Sequence, residues 1–124
     1  MNIINTNNAP SAIGPYSQAT EFNGIIFVSG QLPINPSTGE LVKGDIKAMT
    51  RQSMNNIKAI LEASGSSMDK ILKTTVLVKD LNTFSDVNEA YGEFFSDKTP
   101  ARACFEVSNL PKGALIEIEA IAHK

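Results

Sequence analysis

Apolar positions along this chain follow two periods, and each change of period marks a new element. Ile3 and Ile4 offer a short edge strand ahead of Pro10. Tyr16 to Phe22 reads as a strand, ending at Asn23-Gly24, a pair that favours a two-residue hairpin turn. IIFVSG (25–30) is apolar on both parities, the pattern of a strand covered on two faces. LPINPSTGEL (32–41), with two prolines and a glycine, reads as loop. From Asp45, a candidate N-cap, Ile46, Met49, Ser53, Ile57, Ile60 and Leu61 recur at helical spacing. Gly65 is placed to stop that helix near Ala63. After a polar link (66–70), ILKTTVLVK (71–79) is rich in β-branched residues and predicts a central strand. Thr83 is placed to cap a second helix, with Asp86 at its third position. Phe84, Val87, Tyr91, Phe94 and Phe95 form the apolar stripe of that helix. Two further strands, 103–107 and 115–122, are expected to close the chain as a hairpin around Lys112.

The predicted order is therefore β-β-α-β-α-β-β over a single domain, 1–124. Two crossover helices and terminal hairpins define an α+β class, a mixed sheet with both helices on one side. In the last strand Ile116, Ile118, Ala120 and Ala122 share one face, and Leu115, Glu117, Glu119 and Ile121 the other. That second face is half apolar and half acidic. Two helices leave it without cover, which predicts packing against another subunit.

Composition narrows the chemistry. With 124 residues the chain can bury roughly two-thirds of its unfolded surface, so a core needs no staples. A net charge of −2 leaves no basic footprint for nucleic acid. One cysteine excludes an internal disulfide. One cysteine and one histidine do not make a zinc or copper ligand set without unusual partners, so no metal is expected. His123 stands near the C-terminus, and no histidine is available inside the fold for a Ser/His or Cys/His nucleophile system. The glycines match neither phosphate-binding pattern. No basic-then-apolar leader opens the sequence, and no apolar run approaches the ~20 residues of a membrane span. A soluble, cytoplasmic protein is expected.

Arg102 and Glu117 are the candidates left. Arg102 is one of two arginines, and guanidinium is the group that grips a carboxylate in two-pronged fashion. Glu117 sits among apolar strand neighbours, where partial burial would raise its proton affinity and suit it to acid–base work. In the expected hairpin the two lie about three residues apart, roughly 10 Å, on the same or opposite faces according to a register the sequence leaves open.

Five stretches together resemble the reactive intermediate deaminase (RidA, or YjgF) family: APSAIGPYSQA (9–19), VSGQLPINPSTGEL (28–41), RQSMNNIKAILEASGSS (51–67), KTTVLVKDLNTFSDVNEAYGEFF (73–95) and PARACFEVSNLPKGALIEIEAIA (100–122). The resemblance implies a chorismate-mutase-like fold and a homotrimer whose three sheets form a central barrel with clefts between subunits. It implies hydrolysis of 2-iminobutanoate and 2-iminopropanoate, or their enamine tautomers, to 2-oxo acids and ammonia, without cofactor, metal or covalent intermediate. By the same resemblance Arg102 holds the substrate carboxylate and Glu117 positions water and handles protons. The backbone at Cys104 lies beside the imine carbon, and Tyr16, Ser29, Gly30 and Asn88 line the cleft. Phe105 is bulkier than the small aliphatic residue usual there, which alters pocket shape. An RNA-cleaving protein and a non-enzymatic sensor of small carboxylates are the competing readings.

Overall fold

Asn23 and Gly24 both take positive φ, 51° and 81°, and turn one strand back on the next as the dipeptide predicts. The structure is a computed structural model that describes residues 1–124. In chain order the elements are β1 (Asn2–Ile4), β2 (Ala19–Phe22), β3 (Ile25–Gln31), β4 (Ile34–Asn35), β5 (Glu40–Leu41), α1 (Ile46–Ala63), β6 (Ile71–Val78), α2 (Phe84–Gly92), β7 (Ala101–Glu106) and β8 (Ile116–His123). Six strands make one sheet in the order β1-β2-β3-β8-β6-β7, and β4 and β5 pair by themselves.

The expected α+β class and both helices are present. Asp45 caps α1 by accepting a hydrogen bond from the Ala48 amide at 2.9 Å. Gly65, at φ 79°, ends it, and the Ser66 amide donates back to Leu61 O at 2.9 Å. Met54, Ile57, Ile60 and Leu61 of α1 pack on Val76, Val78, Ile116 and Ile118 of the sheet, all fully buried. The opposite sheet face is bare: Phe27, Phe105 and Leu115 remain 48%, 56% and 44% exposed.

Four expectations are corrected. The strand expected from Tyr16 begins only at Ala19, because Gln18 is turned into the fold to hold the preceding loop. The loop 32–41 contains the β4–β5 hairpin, clasped by the buried Asn56 amide, which donates to Leu32 O and Ile34 O. Thr83 does not cap α2. Its backbone is already near-helical (φ −84°, ψ 1°), so its hydroxyl donates back to Asp80 O at 2.6 Å instead.

The largest correction concerns the end of the chain. β7 and β8 are not a hairpin. β7 pairs parallel with β6, and β8 lies antiparallel between β3 and β6. The α1 crossover leaves a gap between β3 and β6, which run parallel because each opposes β8. β8 fills that gap, since Ile116, Ile118, Ala120 and Ala122 need a strand position covered by helices and flanked on both edges. ARACFE, with an arginine and a glutamate, suits the sheet edge. The link 107–115 therefore crosses the end of β6 rather than turning tightly. Val107 N donates to Val78 O, Lys79 N donates to Leu115 O, and the Lys79 ammonium holds Ser108 O.

Candidate active site in two halves

β8 alternates, so the neighbours of buried Ile116 and Ile118 place Glu117 on the bare face. There it borders a cavity of about 590 Å³ shared with Tyr16, Ser29, Gly30, Lys112 and Glu119. The loop 10–17 forms one wall. Gln18, nearly fully buried, ties that loop down: its side-chain amide donates to Pro10 O at 2.8 Å and Thr6 O at 3.0 Å and accepts from Thr6 N at 2.7 Å. Ser29 Oγ donates to Ser17 O at 2.6 Å, fixing the same loop.

Between Val28 and Gln31 the β3–β8 register slips, and Ser29 and Gly30 fall in the irregularity. Gly30 matters there for space. A Cβ at that position would stand 2.7 Å from Glu117 Cδ and 2.8 Å from Oε2, so the carboxyl rests where a side chain would otherwise be. Burial pushes the Glu117 carboxyl above the usual carboxylate range, and the charge of Glu119, two residues on, adds to the effect.

The other candidates gather elsewhere. Arg102 is the in-register partner of Thr74 in the β6–β7 pair and shares the helix side of the sheet with it. Its Nη1 donates to Asn88 Oδ1 of α2 at 2.7 Å. Its Cζ lies 5.3 Å from the Phe84 ring centre and 5.0 Å from that of Tyr91, both within cation–π range. The remaining guanidinium donors have no protein partner and open, with Leu81, Phe84 and Cys104, onto a depression of about 520 Å³. Burial pushes the Cys104 thiol up, an effect that Arg102 partly offsets, so the sulfur is not set up as a nucleophile.

One chain thus brings Tyr16, Ser29, Gly30 and Glu117 together on one side, and Arg102, Asn88 and Cys104 on the other. Arg102 and Glu117 are not hairpin neighbours as expected. Two strand spacings and three residues separate them, roughly 14 Å between backbones, and they face opposite ways. Tyr16 is exposed on the loop, and Asn88 is half-buried against Arg102. Sequence reasoning missed Phe84 and Tyr91 as flanks of Arg102. The one available signal was a hydroxyl, that of Tyr91, inside an otherwise apolar stripe.

No group of three or more His, Cys, Asp or Glu residues stands close enough to hold a metal ion. No helix is long and apolar enough to cross a membrane.

Comparison with known proteins places the chain in a known class. The family model described as Endoribonuclease L-PSP matches residues 6–124. A RutC family protein of Pyrococcus horikoshii is 57% identical over 122 residues, covering 98% of this chain and 97% of its own. A 2-iminobutanoate/2-iminopropanoate deaminase of Escherichia coli is 54% identical over 122 residues, covering 96% and 94%. Among solved structures, E. coli TdcF with bound serine superposes with a TM-score of 0.96 at 44% identity, covering 100% of this chain and 99% of that one. The chain belongs to the RidA/YjgF family, as its five sequence stretches suggested.

Proposed function

We propose that the chain is a 2-imino acid deaminase, hydrolysing 2-iminobutanoate and 2-iminopropanoate or their enamine tautomers to 2-oxo acids and ammonia in the cytoplasm. The observation that carries the reading is the pair of incomplete half-sites. A guanidinium held for a carboxylate faces one way, and a carboxyl of raised proton affinity lies on the bare sheet face. A homotrimer in which the Arg102 half of one subunit meets the Glu117 half of the next completes three clefts and covers Phe27, Phe105 and Leu115 at once. The E. coli deaminase at 54% identity supports the reaction, and the serine bound to TdcF supports a ligand of amino-acid size carrying a carboxylate.

The chemistry is economical. Arg102 takes the substrate carboxylate through its free donors and so fixes the C=N group. Glu117, ionised, accepts a proton from water as the oxygen adds to the imine carbon. Starting from the protonated imine, it then returns that proton to the nitrogen of the resulting carbinolamine and takes the hydroxyl proton as the C–N bond breaks, so that ammonia leaves and the C=O of the 2-oxo acid forms. Positioned proton transfer of this kind contributes about 10²–10⁴-fold, enough for an imine that already hydrolyses in water.

The test is ammonia release from freshly generated 2-aminoacrylate. Wild type is expected to accelerate it; Arg102→Met and Glu117→Gln are each expected to lose most of the rate. Mixing the two variants after dissociation and reassembly should restore about a quarter of wild-type activity, since one interface in four pairs two intact halves. Binding of 2-oxobutanoate with no acceleration would instead assign the sensor reading. RNA cleavage lost on Arg102→Ala would assign the activity that the family model's description names.

A further inference from the structure

Arg102 is a long side chain on an exposed edge strand, yet it is held in place. An exposed arginine ordinarily keeps most of its rotamer freedom, and one hydrogen bond to Asn88 is a thin constraint against it. The other constraint is aromatic, and Tyr91 is its better-anchored half. Its ring lies 5.0 Å under the guanidinium carbon and is tilted against Phe95 at a centroid distance of 5.1 Å. Its hydroxyl meets Thr74 Oγ1 at 2.7 Å, a pair sealed from solvent. Thr74 is 1% exposed and is the residue directly beside Arg102 on the next strand. The same threonine therefore stands next to the backbone of Arg102 and fixes the ring on which its guanidinium rests.

Packing alone does not call for this pair. Valine and phenylalanine would fill the same volume, and replacing both members of a buried hydrogen bond by apolar groups of like shape is close to neutral for stability. What the hydroxyls add is a fixed ring position: the ring cannot turn away without leaving a buried hydroxyl unpaired. Burial also pushes the Tyr91 phenol above its ordinary value, so both hydroxyls stay neutral and either can donate to the other.

We infer that Thr74 and Tyr91 are positioning residues for Arg102, a buried hydroxyl pair that aims the guanidinium at the carboxylate of the substrate. The inference rests on the proposed role of Arg102 as carboxylate anchor. Neither residue touches substrate; both act through the guanidinium.

The experiment uses full-length Thr74→Val, Tyr91→Phe, the double variant and Arg102→Met, with imine hydrolysis and thermal unfolding measured on each. Inhibition is measured with 2-oxobutanoate and with its uncharged methyl ester. Thr74→Val alone leaves the phenol unpaired and lowers Tm; the double variant is expected to regain it. KM and the inhibition constant of 2-oxobutanoate are expected to rise about 3–10-fold in either single variant and to stay raised, without adding, in the double. Turnover at saturation and inhibition by the ester should stay within about twofold. A double variant with recovered Tm and wild-type KM overturns the inference, as does a loss that affects acid and ester alike. Arg102→Met separates the two levels. If it leaves KM unchanged, the anchor reading itself fails; if it raises KM while the hydroxyl variants do not, only the positioning role fails.

Discussion

Replacing Gly30 by alanine should disable the Glu117 half-site while leaving the fold intact. The new Cβ would enter space that Glu117 Cδ now occupies at 2.7 Å, against an optimal carbon–carbon separation of about 3.5–4.0 Å. The carboxyl must therefore retreat by about 1 Å. It can do so because it ends a flexible side chain, and Gly30 itself does not need a positive φ. The chain loses freedom in the unfolded state, which favours the alanine by about 0.4–1 kcal/mol and offsets the crowding. A displacement of about 1 Å at a proton-transfer group costs on the order of 10²-fold in rate, or about 2.7 kcal/mol in barrier. The expected result is a kcat for ammonia release about a hundredfold down, with KM little changed because the carboxylate anchor lies in the other half-site. Tm should move by no more than a few degrees. Glu117→Gln sets the floor for comparison. A Gly30→Ala protein with wild-type kcat would refute the reasoning, since the carboxyl would then be displaced without consequence.

Further outcomes follow from groups already described. Glu117 must be ionised to take a proton, and burial and Glu119 both raise its pKa above 4.5, so the acid limb of kcat/KM should lie above the ordinary carboxylate range. Glu119→Gln removes one raising influence and should move that limb to lower pH; an unmoved limb in a pH–rate profile counts against the pairing. Glu21 is held down at about 2 by the Asn2 amide, the Gly24 N–H and Lys124. Its contribution to stability is present above its unfolded value near 4.5 and lost as pH falls toward 2. Glu21→Gln should therefore lower Tm at pH 7 but leave it nearly unchanged at pH 2; equal losses at both would contradict this account. Asp45→Ala should cost about 1 kcal/mol in urea unfolding through the lost Ala48 contact, with activity retained.

Local signals in the sequence identified most elements, while pairing between distant strands was harder to read. Asp45, Gly65 and Asn23-Gly24 act within a few residues, and each does in the structure what its chemistry predicts. The alternation of Ile116, Glu117 and Ile118 likewise identified the bare face. Thr83 failed because a cap needs an extended backbone, and the preceding turn had already made it helical. The partner of β8 is a long-range question. Two adjacent strands joined by Pro111 and Gly113 look like a hairpin, and only the gap left by the α1 crossover shows that β6 lies between them. That one error also misplaced Arg102 relative to Glu117. Arg102 and Glu117 could be named as candidates from residue type; their opposite facing could not be read, because facing depends on pairing.

β8 follows every other strand in the chain order, yet it lies inside the sheet, between β3 and β6. Until Ile116 to His123 have left the ribosome, β3 and β6 lack their common neighbour, so the hydrophobic layer beneath α1 stays open during synthesis. Nascent chains should resist degradation only once β8 has emerged, and deleting β8 should abolish folding outright rather than remove one edge.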